Sequence, residues 1–180
     1  MIEPQLLREA LFLVGAGHCA RAIARLAVDC GLFVSVIDDR ADQLDELPTQ
    51  VLRVSATSAP DFIARRPWQA DEAIVIVSRN HELDREALAA ALQTHGAGYI
   101  GMIGSRRKVR QVFPQLRERG APEDALAKVY APIGLDIGAD SPAEIAVSVI
   151  AEILSTLRKA SAQNLKAVSG EAEGCQMTKR

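Results

Sequence analysis

The sequence predicts an α/β protein: a three-layer, doubly wound parallel sheet built as a single domain. Three observations carry that prediction. Short apolar runs alternate with helix-period patterns from one end of the chain to the other, as strands and their covering helices do. The first apolar run, Leu11 to Val14, leads straight into Gly15-Ala16-Gly17-His18-Cys19-Ala20, and Asp38 closes the next run. The unusual polar clusters each follow an apolar run, where loops at the carboxyl edge of a parallel sheet lie.

Taken in order, the strands are expected at Leu11–Val14, Phe33–Ile37, Gln50–Val54, Ala73–Val77 and Tyr99–Ile103, with a further one at Val129–Ala131. The glycine turn opens a helix with Ile23, Leu26, Ala27 and Cys30 on one face, and Gly31 stops it. Asp84–Thr94 reads as a helix. So does Arg106–Arg119, from Val109, Val112, Phe113 and Leu116, with Gly120 as its stop. Pro114 should kink or split that helix, because the missing N–H and the ring clash cost about 3 kcal/mol in a helix interior. Ser141-Pro142-Ala143-Glu144 combines a capping-box pair with proline at the first helical position, and Ala146, Val149, Ile150, Ile153 and Leu157 continue it as a buried stripe. The domain is expected over residues 1–160, with a polar, mobile tail over 161–180.

Bulk properties exclude several classes. At 180 residues the chain fits one well-packed core and is too short for two ordinary domains. A net charge of −2 gives no global field to attract nucleic acid or an acidic membrane surface. No apolar run approaches the ~20 residues of a spanning helix. Met1 to Glu9 carry charge where a signal peptide would be apolar, so a cytoplasmic location is expected. Cys19, Cys30 and Cys175 lack the spacing of a disulfide framework or a zinc site. Cys30 is expected in the core. Cys19 reads either as a small half-buried side chain or as a thiolate favoured by the helix dipole.

The strand–turn–helix order around Gly15 and Gly17 is Rossmann-like. Gly15 permits the tight turn, Gly17 lets the backbone approach a phosphate, and Ala20 lets helix and strand pack closely. An anion can then rest on unpaired N–H groups at the helix N-terminus. Asp38 can accept from two ribose hydroxyls, while Arg40 beside it can accommodate a 2′-phosphate, so the choice of adenine nucleotide stays open. Asp39 follows on the same rim. Ser105-Arg106-Arg107-Lys108 puts three cations at a helix start, against the dipole, which reads as an anion site or as a solvated basic turn. His18 and His81, in loops expected to face one another, are candidate hydrogen-bond donors or proton carriers near pH 7, and Arg79 and Asp136 complete the set of polar candidates. Nothing in the spacing of His18, Cys19 and His81 demands a metal.

Five strings together resemble a known family: Phe12 to His18, Val36 to Arg40, Ser78 to Asp84, Tyr99 to Lys108, and Ala131 to Gly138. They are similar to the C-terminal Rossmann-type domain of the XdhC/CoxI proteins, the xanthine dehydrogenase accessory factors. Ile103-Gly104-Ser105-Arg106-Arg107-Lys108 and Pro132-Ile133-Gly134-Leu135-Asp136-Ile137-Gly138 are the most specific of them. The resemblance implies a chaperone that binds molybdenum cofactor (molybdopterin), either as the pterin with its terminal phosphate or in a dinucleotide form whose ribose Asp38 could hold, protects it during sulfuration and delivers it to a molybdenum hydroxylase apoenzyme, with a cysteine desulfurase as a further partner. It implies a cofactor-binding site drawn from Gly15, Gly17, His18, Cys19, Asp38, Asp39, Arg79, His81, Ser105, Arg106, Arg107 and Asp136. No step in that role requires covalent chemistry by this chain. Fuller family members carry an additional N-terminal domain, and Asn80 stands where the family often has glycine, a replacement expected to need left-handed backbone. The alternatives are an NAD(P)-dependent oxidoreductase using the same turn and a nucleotide-sensing regulatory module. A homodimer is the default assembly.

Overall fold

Residues 9–55 and 58–165 are described by a computed structural model. Five strands, β1 (Ala10–Val14), β2 (Phe33–Asp38), β3 (Leu52–Ser55), β4 (Glu72–Ile76) and β5 (Tyr99–Met102), form one sheet in the order β3-β2-β1-β4-β5. Every pairing is parallel. The chain winds outward from β1 to β3, then crosses to β4 on the other side of β1. That reversal places the switch point between the carboxyl ends of β1 and β4, where ligands bind in open sheets.

The helices are α1 (His18–Asp29), α2 (Ala41–Asp45), α3 (Ala59–Arg65), α4 (His81–Leu92), α5 (Arg106–Glu118), α6 (Glu123–Leu126) and α7 (Pro142–Leu157). Side-chain alternation along the strands divides the core in two. Leu11, Leu13, Val34, Val36, Ala73 and Val75 pack with α1 and α7 through Ala20, Ile23, Ala27, Val149 and Ile153. Phe12, Val14, Ile37, Ile74 and Ile76 pack with α3, α4 and α5 through Ile63, Leu88, Val112 and Leu116. Because helices cover both faces, β1 and β4 read as continuous apolar runs.

Several expectations are corrected. Val129–Ala131 is reduced to one parallel bridge, Tyr130 to Gly101, with the Tyr130 amide donating to Ile100 O at 2.9 Å. β3 starts at Leu52, two residues later than expected. Helix α5 is not split at Pro114: only one N–H is missing, while Val112 and Leu116 are buried on either side of it. Cys30 is exposed, because the buried stripe of α1 ends at Ala27 and Cys30 is already its C-cap. Asn80 has φ −122°, extended rather than left-handed, and its side chain caps α4 by accepting from the Glu82 amide at 2.8 Å. Helix α4 therefore begins three residues before the expected Asp84. The short helices α2, α3 and α6 were not expected at all. The expected tail lies outside the described residues from 166 onward, as does Cys175. Among the described residues no helix is long and apolar enough to cross a membrane.

Candidate functional site

The turn after β1 is fixed by contacts that only glycine satisfies. Gly15 has φ +111°, and a Cβ there would lie 2.7 Å from the Val77 carbonyl oxygen and 2.9 Å from Ser78 Cα. Its amide donates to Ile37 O at 2.8 Å, so the turn is clamped between the ends of β2 and β4. Gly17 is different. Its φ is −71°, and a Cβ there would meet nothing within 4 Å. Among the described residues no atom crowds a side chain at this position, so the backbone is open to close approach.

Gly17 is the N-cap of α1 and supplies no side chain to the first-turn amides. In α3, α4, α5 and α7 those amides are capped by Ser58, Asn80, Ser105 and Ser141. The start of α1 thus keeps N–H donors and the positive end of the helix dipole for an anion. His18 is exposed on this turn and Cys19 is half-buried beside it.

Asp38 lies beneath the turn, with its side chain 5% exposed. Its Oδ2 accepts from the Ala16 amide at 2.8 Å and Arg40 Nη2 at 2.9 Å; its Oδ1 accepts from the Arg40 amide and Arg40 Nε, each at 2.9 Å. Burial pushes the carboxyl up, but the Arg40 guanidinium and the two amides outweigh it and lower it to about 2. Asp38, Asp39 and Arg79 meet with Gly15, Asn80, Ala59 and Leu83 around a crevice of about 210 Å³, where Arg79 Nη2 pairs with Asp39 Oδ2 at 3.4 Å.

The other candidates lie apart from that crevice. Arg106 and Asp136 line a groove of about 320 Å³ along Pro132–Ala139. Arg107 is exposed, and the Ser105 hydroxyl accepts from the Lys108 amide as the cap of α5. His81 opens α4 and lines a separate groove with Arg85, Gln111 and Gln115. Lys108, grouped with the anion-facing cations in the sequence, is withdrawn from them: its ammonium pairs with Asp84 and donates to Ile103 O at 3.0 Å. Asp84 is fully buried and also accepts from the Ser78 hydroxyl at 2.7 Å.

Two residues that sequence reasoning missed hold the Pro132–Gly138 loop. Ser148 Oγ donates to Leu135 O at 2.6 Å, and Glu152 accepts from the Gly134 amide at 2.9 Å and from the Tyr99 hydroxyl. Burial, then the Glu152 hydrogen bond, pushes the Tyr99 hydroxyl well above its ordinary range. Gly134, at φ +101°, has no room for a Cβ, which would stand 2.3 Å from Ser148 Oγ. The available signal was a serine and a glutamate within an otherwise apolar helical stripe. Among the described residues no three His, Cys, Asp or Glu side chains are grouped to hold a metal ion.

Comparison with known proteins agrees with this fold. A family profile described as the XdhC Rossmann domain matches residues 11–153. The chain is 37% identical over 156 residues to the Escherichia coli K12 protein YqeB, covering 86% of this chain and 28% of that one. It is 30% identical over 159 residues to a probable xanthine dehydrogenase subunit from Bacillus subtilis, covering 88% and 45% respectively. A crystal structure titled as a xanthine dehydrogenase from Bacillus halodurans superposes with TM-score 0.71 at 26% identity, over 92% of this chain and 48% of that one. The chain spans less than half the length of each of these relatives.

Proposed function

The chain belongs to the XdhC Rossmann-domain family, and on that premise we propose that it is an accessory protein of a molybdenum hydroxylase such as xanthine dehydrogenase, holding molybdenum cofactor for sulfuration and insertion in the cytoplasm. The observation that carries this reading is the start of α1: a glycine at position 17 with open space where a Cβ would stand, followed by first-turn amides without a side-chain cap. The pterin's terminal phosphate is the matching anion. Backbone amides of Gly17, His18 and Cys19 would hold the phosphate, and Arg106, exposed at the start of α5, would offer a charged donor from the groove along Pro132–Ala139. The cofactor is cargo here, so the chain's work is to bind, shield and release it. The hydroxylase apoenzyme and a cysteine desulfurase are the partners this role requires.

The test is anaerobic purification of the protein from cells making the cofactor, with the retained pterin measured by fluorescence after oxidation, and activity of a co-expressed molybdenum hydroxylase assayed in parallel. Retention of pterin by the wild type, lost in Gly17→Val with the fold intact, is the expected result. Replacing Arg106 by alanine should weaken retention by roughly 1.5–3 kcal/mol for a lost charged hydrogen bond. Tight NAD(H) binding with hydride transfer and no pterin would overturn the proposal.

A further inference from the structure

A carboxylate at the end of the second strand is the group by which a turn of this type holds adenosine, since its oxygens accept from the ribose hydroxyls. In this protein that carboxylate is already engaged. Each oxygen of Asp38 accepts two donors, one backbone amide and one guanidinium nitrogen, at 2.8 to 2.9 Å. Two donors per oxygen use the in-plane acceptor sites of a carboxylate. The Arg40 contact is bidentate and joins opposite charges, whereas the diol hydroxyls that would replace it are uncharged donors to the same carboxylate. The adjacent Asp39 is itself joined to Arg79 across the same crevice.

We propose that Arg40 is a specificity-determining residue: by clasping Asp38 it removes the acceptor that a free ribose diol needs, and so turns away NAD-type nucleotides. Ligands that offer a phosphate to the amides of α1 but no ribose diol to Asp38 meet no such penalty. The inference deepens the proposed function, resting on it only for the identity of the ligand admitted; the exclusion follows from Asp38 and Arg40 alone.

The experiment is calorimetric titration of the full chain with ADP-ribose, which carries both a pyrophosphate and free diols. Wild type should show no saturation up to about 1 mM, whereas Arg40→Ala should bind at least about ten-fold more tightly. The double variant Asp38→Asn, Arg40→Ala should lose most of that gain, because an amide offers one acceptor oxygen where the diol needs two. Arg40→Lys, which cannot reproduce the bidentate contact, gives a second route to the same gain if the alanine variant folds poorly. Saturable binding to wild type, no gain in Arg40→Ala and Arg40→Lys, or a gain that survives Asp38→Asn would each overturn the proposal. Pterin retention measured on the same wild-type preparation separates the two failures: retention with no gain in the variants sinks only the role of Arg40, and a gain without retention sinks only the proposed cargo.

Discussion

Replacing Lys108 by methionine tests how the rim of the sheet is held. The methionine keeps most of the apolar stem beside Gly104, and only the ammonium is lost. Asp84, fully buried, then keeps two donors, the Ser78 amide at 3.2 Å and hydroxyl at 2.7 Å, but no counter-charge. Breaking a buried pair costs about 3–5 kcal/mol, and the remaining Ser78 donors place this case at the lower end, about 3 kcal/mol. Ile103 O loses a donor as well, adding about 1 kcal/mol. The expected loss of about 4 kcal/mol is a large part of the roughly 5–15 kcal/mol that holds a domain together. Urea unfolding followed by circular dichroism measures it as a lower midpoint at unchanged slope. In the double variant Asp84→Asn, Lys108→Met the buried charge is gone as well, so it should be more stable than the sum of the single losses by at least about 1 kcal/mol. A single-variant loss below about 1 kcal/mol, or strict additivity, would show that water reaches the pair and that the reasoning is wrong.

The two glycines of the turn should respond differently to alanine. Gly15→Ala meets the Val77–Ser78 backbone at positive φ and should cost more than about 2 kcal/mol in the same unfolding assay, while Gly17→Ala, at an N-cap with open space, should change stability by less than about 1 kcal/mol yet weaken pterin retention. Asp38, lowered from 3.8 to about 2 in the folded chain, contributes stability that is complete above pH 3.8 and is lost as pH falls toward 2. After discounting for solvent screening this is about 1 kcal/mol, so an Asp38→Asn variant should show a flatter acid-unfolding curve over that window, and an unchanged curve would contradict the contacts described.

Much of the fold was legible because the chain's long signals agree with one another. β1, β2, β4 and β5, the turn at Gly15 and the capping box at Ser141 were read within a few residues, since buried parallel strands are continuous apolar runs and the caps are chemically specific. What was missed is short or tertiary. Helices α2 and α6 span one turn each, too few residues for a period to show. Helix α3 carried a readable cap, Ser58 accepting from Asp61, before a stripe of only two buried residues. Cys30 and Asn80 were misread because one lies just past the end of a periodic face and the other at a helix start. At such positions the side chain's environment depends on where the backbone turns. The grouping of Gly15, Asp38, Asp39 and Arg79 follows from strand order, which composition does not encode.

Polar residues in the most specific strings do two different jobs, and the structure separates them. Ser78 and Asp84 bond to each other while Lys108 reaches across from α5, so the strings after β4 and β5 are joined by one buried cluster. The Pro132–Gly138 string is moored to α7 by Ser148 and Glu152, and Glu152 also holds Tyr99, the first residue of β5. These side chains make loops that would otherwise be mobile into a fixed rim, because each buried polar group is costly without its partner. Arg79, Arg106, Arg107, His18 and Asp136 are exposed instead, outside those buried clusters. Under the proposed function, ligand binding would fall to that second group together with the amides of α1, and the strongest sequence signal belongs in part to the scaffold around them.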